Sequence, residues 1–176
     1  MRTKIGPSFV WKSFLRVNLL QAVILLIVSL PLAVIARGGG DAGPTVFDTV
    51  GLVLFAIGFG FEVLGDAQLK AFKADPSNRG KVLRQGLWSL TRHPNYFGDS
   101  LLWWGIGVIG LNCPGGLGAL VGPALMSFLL RRVSGVTLLE ADLIQRKPGY
   151  ASYVAEVPPF WPRLWPRTSS RPSQDQ

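Results

Sequence analysis

The sequence predicts an all-α integral membrane protein with about four transmembrane helices and a polar site on the cytoplasmic side. Three observations carry this. Charged residues make up only 16% of the 176-residue chain against 48% hydrophobic, where a soluble domain carries about 25% charged. The charges fall between long apolar blocks rather than along one surface. All Lys and Arg except Arg37 sit in three segments, residues 1–16, 70–97 and 131 onward, as the positive-inside rule requires when both termini face the cytoplasm.

The spans follow in order. Asn18 to Ala36 is uncharged, and at ~1.5 Å per residue it is long enough for the hydrocarbon core. A basic start, Pro31 and the small residues near Ala36 also resemble a cleavable secretory signal, but the apolar run is long for one and more spans follow. Phe47 to Leu64 is the second block, with Asp48 at its start and Glu62 near its end. Gly98 to Cys113 and Gly115 to Leu130 are shorter and read as a hairpin joined at Asn112-Cys113-Pro114-Gly115-Gly116. An even number of spans keeps the basic segments on one side, and Trp11, Trp88, Trp161 and Trp165 then fall near the cytoplasmic interface. Residues 1–165 read as one membrane domain and 166–176 as a disordered tail. The expected setting is the bacterial inner membrane. Membrane lipids are the expected surroundings, and no nucleic-acid partner is expected, because topology accounts for the net charge of +8.

Glycine spacing predicts how the helices pack. Gly51, Gly58 and Gly65 are spaced by seven, as are Gly98 and Gly105. Each series returns to one helix face and opens a groove for a neighbouring backbone. Gly58-Phe59-Gly60 is not a dinucleotide fingerprint, since no strand precedes it and a third glycine is wrongly placed.

Chemistry has few places to sit. One Cys forbids an intramolecular disulfide, and one His with one Cys cannot build the usual zinc site, so no metal is expected. Glu62, Asp66 and Lys70 follow i, i+4, i+8 spacing with Lys73 one turn on. A solvated helix end explains the lysines, whereas an acid as deep as Glu62 points to a polar cavity. Between Thr91 and Asp99 lie Arg92, His93, Asn95, Tyr96 and Asp99, offering cationic, titratable, amide, phenolic and carboxylate groups. Asn95 can cap a helix starting near Tyr96, with Asp99 in its first turn. Such a cap occurs at many loop-to-span junctions; the density of functional groups points to a ligand site.

These residues also carry a resemblance. Glu62-x-x-x-Asp66-x-Gln68-Leu69, Asn78-Arg79-Gly80-Lys81, Gly86-Leu87-Trp88, Arg92-His93-Pro94-Asn95-Tyr96-Phe97-Gly98, Leu139-Glu140 and Pro148-Gly149-Tyr150, ending at Phe160-Trp161-Pro162, resemble the bacterial DUF1295 family. That family is similar to the C-terminal domain of steroid 5-alpha-reductases. The resemblance implies a membrane reductase that takes hydride from NADPH and reduces a double bond conjugated to a carbonyl in a steroid-like or other lipid substrate. It places Asp66, Lys70, Lys73, Lys81, Asn95 and Asp99 at cofactor-holding positions, with Glu62, Arg92, Glu140 and Tyr150 around them. It leaves His93 and Tyr96 as proton donors. Asp99 stands where the family usually has Glu. Reductases of this kind also carry further N-terminal helices that polarise the substrate carbonyl. The resemblance therefore implies a partner that supplies them, or a chain inactive alone. A second resemblance, through Arg92-His93-Pro94-x-Tyr96 and Glu140, is to isoprenylcysteine carboxyl methyltransferases and related lipid methyltransferases. S-adenosylmethionine would then be the cofactor, favouring Glu62, Asp66 and Glu140. A non-catalytic membrane subunit is the third reading. The basic loop from Lys70 to Arg84 suits phosphates and favours NADPH.

Overall fold

The computed structural model describes residues 11–12, 14–38, 43–133 and 136–163, and the tail expected at 166–176, with Trp165, lies outside them. Every regular element among the described residues is helical. A π-helical turn at Phe14–Asn18 leads into α1 (Leu19–Val28) and α2 (Leu30–Arg37). The 29-residue α3 (Val46–Ala74) follows, then 3-10 turns at Pro76–Asn78 and Gly86–Ser89, and α4 (Pro94–Gly110). A helical run from Gly116 to Val133 contains α5 (Val121–Phe128). The short α6 (Val136–Arg146) and α7 (Tyr150–Glu156) close the chain.

Two of these helices, Val46–Ala74 and Gly116–Val133, are long and apolar enough to cross a membrane, and the α1–α2 pair makes a third if counted as one span. The uncharged run from Asn18 to Ala36, read as one span, is broken within this pair, which bends by 44°. The cause is Pro31, which lacks an amide hydrogen and whose ring opposes the preceding turn. The Ser29 hydroxyl donates to the carbonyl of Leu26 beside the break. At 17 residues, α4 falls just short of a full apolar span.

The surface is apolar, and the interior mixes apolar and polar groups. Leu25, Leu26, Leu52, Val53, Phe59 and Leu64 all stand exposed. Water would disfavour such a surface, whereas lipid tails match it. What packs inside among the described residues is Val28, Ala119, Val136, glycine, proline, aromatic rings and the polar Thr91, Arg92, His93 and Ser100.

The chain divides into two compact units, Met1–Val53 with Trp103–Met126, and Leu54–Leu102 with Ser127–Gln176. In the first, a methyl group at Gly51 would lie 2.6 Å from the carbonyl oxygen of Gly105, and one at Gly122 would meet the carbonyl of Val28. Thr45 caps α3: its amide donates to the Asp48 carboxylate at 2.8 Å, and its hydroxyl accepts from the amides of Phe47 and Asp48. In the second unit, a methyl at Gly58 would lie 2.5 Å from the amide nitrogen of Leu102 and 2.6 Å from the carbonyl of Gly98. Gly65 approaches the ring of Pro94. The glycine series of α3 thus lies against α4 in both units, as its spacing predicts.

Candidate functional site

The polar groups converge in the second unit, around the stretch that joins the 3-10 turn at Gly86–Ser89 to α4. This stretch is fixed from both sides. Toward α3, Gln68 accepts from the amide of Leu87 at 3.0 Å and the Trp88 indole donates to the Gly65 carbonyl at 3.0 Å. Gly86 has φ +59°, and a side chain there would strike the Gln68 amide, so glycine is required twice over. Toward the C-terminal segment, the amide of Arg92 donates to the Pro158 carbonyl, that of Arg163 to Leu90, and the Thr91 hydroxyl to Phe160 at 3.1 Å. The Tyr153 hydroxyl donates to the carbonyl of Trp88.

This threading buries Thr91, Arg92 and His93, which are 0%, 6% and 2% exposed. Buried charges need partners, and Glu140 on α6 supplies one. Its carboxylate accepts from Arg92 Nε at 2.7 Å and Nη2 at 2.8 Å, a bidentate pair. Arg92 Nη1 donates to the carbonyls of Val154 and Val157. The same Glu140 Oε1 lies 2.9 Å from His93 Nε2. The His93 ring stacks on Tyr96, with centroids 5.2 Å apart and planes 6° from parallel. Burial pushes the Glu140 carboxyl up, but hydrogen bonds from His93 and Arg92 outweigh it and hold it below the usual carboxylate range. Burial, with Glu140 nearby, pushes the Tyr150 phenol up to about 12, and burial raises Tyr153 in the same direction.

Beside this cluster opens a cleft of about 230 Å³. Its polar lining comes from Lys73, Arg92, His93, Asn95, Lys147 and the phenols of Tyr96, Tyr150 and Tyr153. Leu69, Val82, Leu83 and Leu143 supply the apolar part. No Asp or Glu is among the lining residues.

The structure therefore brings Lys73, Arg92, His93, Asn95, Tyr96 and Tyr150 to one cleft and sets Glu140 behind it. Asp66 takes part at one remove, accepting from Asn95 Nδ2 at 2.9 Å. Lys81 contributes its backbone, whose carbonyl accepts from Lys147 Nζ at 3.0 Å. Glu62, Lys70 and Asp99 do not line the cleft. Glu62 sits where α3 passes Gly98, with Asp99 and Asp66 as its charged neighbours.

One local expectation changes. Asn95 was expected to cap a helix beginning near Tyr96. The helix instead begins at Pro94, whose fixed φ suits the first helical position. Asn95 lies in the first turn, and its Oδ1 accepts from the amide of Tyr96 at 3.0 Å. Asp99 falls beyond that turn.

Lys147, Trp88 and Tyr153 were not singled out for the site. Lys147 precedes the Pro148-Gly149 turn, and Gly149 at φ +80° reverses the chain so that Tyr150 and Tyr153 follow on one face of α7. Their spacing of three was a legible signal.

The pattern of a family described as a protein of unknown function, DUF1295, matches residues 1–157. A probable O-methyltransferase, ustE, of Ustilaginoidea virens is 34% identical over 73 residues, which is 42% of this chain and 26% of that protein. The match thus spans about a quarter of that relative's length. No solved structure matches the chain.

Proposed function

This chain belongs to the DUF1295 family, and from that premise we propose that it is a membrane oxidoreductase that uses NADPH to reduce a double bond next to a carbonyl in a lipid-like substrate. The observation that carries the proposal is the charge of the cleft. Its lining holds Lys73, Arg92 and Lys147 and no acid. Arg92 has its donors engaged by Glu140, Val154 and Val157. Lys73 and Lys147 are therefore the phosphate-binding groups. Lys147 gives one N–H to the Lys81 carbonyl, and an ammonium group has two more to offer. Asn95, oriented by Asp66, offers its amide to the cofactor's polar groups. The apolar side of the cleft suits a lipid-like substrate.

NADPH supplies a hydride when bound. The chain's own residues would then exclude water and handle the proton: Trp88 and the leucines line the apolar side of the cleft, and Tyr96 and His93 are its candidate proton-handling groups. The distribution of the basic segments supports a cytoplasmic cleft in a four-span protein with both termini cytoplasmic.

Methyl transfer is the second reading, supported by the likeness to a probable O-methyltransferase. S-adenosylmethionine is a sulfonium cation and would look for carboxylates. Glu140 already serves Arg92 and His93, so the charge argument runs against it.

The test is thermal unfolding of the detergent-purified chain with NADPH, NADH or S-adenosylmethionine. A ligand at 100 times its Kd adds about 2.7 kcal/mol to the folded state. NADPH should stabilise and NADH much less. The double variant Lys73→Ala/Lys147→Ala should lose that difference. Stabilisation by S-adenosylmethionine alone would sink the reductase reading in favour of methyl transfer.

A further inference from the structure

We propose that Glu140, itself clamped by Arg92, fixes His93 as the Nε2–H tautomer, so that Nδ1 faces the cleft as a hydrogen-bond acceptor. Glu140 and Arg92 are in this view positioning residues rather than ligand contacts. The tautomer holds whichever cofactor the cleft takes. The division of labour that follows from it, with His93 accepting and Tyr96 donating, rests on the reading above.

Donors and acceptors decide the tautomer. Arg92 can only donate. Its Nε and Nη2 point at both Glu140 oxygens, at 2.7 and 2.8 Å, and its Nη1 is held by the carbonyls of Val154 and Val157. The guanidinium cannot turn away, and a carboxylate gripped this way is an acceptor. Its Oε1 lies 2.9 Å from His93 Nε2, so that nitrogen must carry the hydrogen. In the neutral ring the other nitrogen, Nδ1, then has a lone pair and no hydrogen. Nδ1 makes no hydrogen bond among the described residues. No fully buried side-chain nitrogen or oxygen among them lacks a partner, so Nδ1 must reach the surface of the cleft that His93 lines.

Arg92 and His93 share one carboxylate, and the Arg92 grip holds that carboxylate where it orients the ring. A ligand group placed at Nδ1 must bring its own hydrogen, which selects hydroxyl or amide N–H groups.

The experiment is unusually direct because His93 is the only histidine. Uniformly ¹⁵N-labelled full-length chain in detergent, at pH 8.5 and with no ligand added, gives one pair of imidazole nitrogen resonances. Their long-range couplings to the ring protons identify which nitrogen is protonated. The expected spectrum has a protonated Nε2 and a bare Nδ1, with the other tautomer at least about tenfold less populated. A protonated Nδ1, an averaged pair or an imidazolium at that pH overturns the proposal. The double variant Arg92→Met/Glu140→Met removes the ion pair without stranding either charge, which favours folding. In it the tautomer preference should collapse toward an averaged pair. If the variant folds and still shows only Nε2–H, Glu140 is not the cause and the proposal fails; if it does not fold, the wild-type spectrum decides. Because no ligand is present, failure here is distinct from failure to bind NADPH.

Discussion

At the scale of single residues, Glu140 answers to two donors, and each can be removed. Arg92→Ala leaves Glu140 with His93 as its remaining partner and removes a donor from two backbone carbonyls, in a site where Arg92 is 6% exposed. The expected loss is about 3–5 kcal/mol of stability, read from the denaturation midpoint. Arg92→Lys should recover little, because an ammonium cannot grip both oxygens while reaching Val154 and Val157. The pairing also sets a pH dependence. The fold holds Glu140 below its ordinary value of 4.5, so its contribution is present above that pH and fades as acid titrates the folded carboxyl. A plot of stability against pH should fall on the acid side in the wild type and fall less in Glu140→Gln. Tyr150 behaves in the opposite sense. Its phenol titrates at about 12 in the fold against 10.0 ordinarily. The neutral phenol is therefore favoured by folding, and the contribution is complete below pH 10 and lost between 10 and about 12. Tyr150→Phe should flatten part of the alkaline limb, leaving the part due to Tyr153.

At the scale of elements, the contact between α3 and α4 rests on absent side chains. Gly58 faces the backbone of Leu102 and Gly98 at distances no real Cβ tolerates, while Gly60, two residues on, has nothing within 4 Å. Gly58→Ala should push the helices apart at about 1–3 kcal/mol. Gly60→Ala should be neutral or slightly stabilising, since alanine favours helix and nothing is displaced. Thermal midpoints of the two variants in the same detergent check this, and equal effects would mean that helix propensity, not close approach, matters here. The spacing of seven made this face legible in the sequence, because periodicity along a helix maps directly onto a face. The 44° bend between α1 and α2 was signalled only by Pro31. Its size depends on what packs beside it, and Gly122 approaching the Val28 carbonyl is a contact between distant residues.

At the scale of the whole molecule, the exposed leucines, valines and phenylalanines match a lipid surround. The chain should stay with the membrane fraction through an alkaline carbonate wash. The proposed sidedness can be tested in a Cys113→Ser background, since Cys113 is the only cysteine. Lys81→Cys should react with an impermeant maleimide only from the cytoplasmic side, and Gly43→Cys only from the other. The same label pattern at both positions would rule out the four-span arrangement.

Composition, charge placement and helical period were enough to determine that this protein is helical, with helices apolar enough to cross a membrane, and built on glycine-lined helix contacts, because each is a local or summed property of the chain. They also marked residues 91–99 as dense in functional groups. Which of those groups act together was decided only by tertiary structure. Glu140 meets Arg92 across 48 residues of sequence, and Lys147 enters the cleft with Lys73 from a different helix end. Glu62, Lys70 and Asp99 share a helix or a motif with cleft residues yet do not line it. Sequence spacing places residues on a face of one helix. Only the packing of separate elements determines which faces meet, and burial then forces each charge it encloses to find its partner.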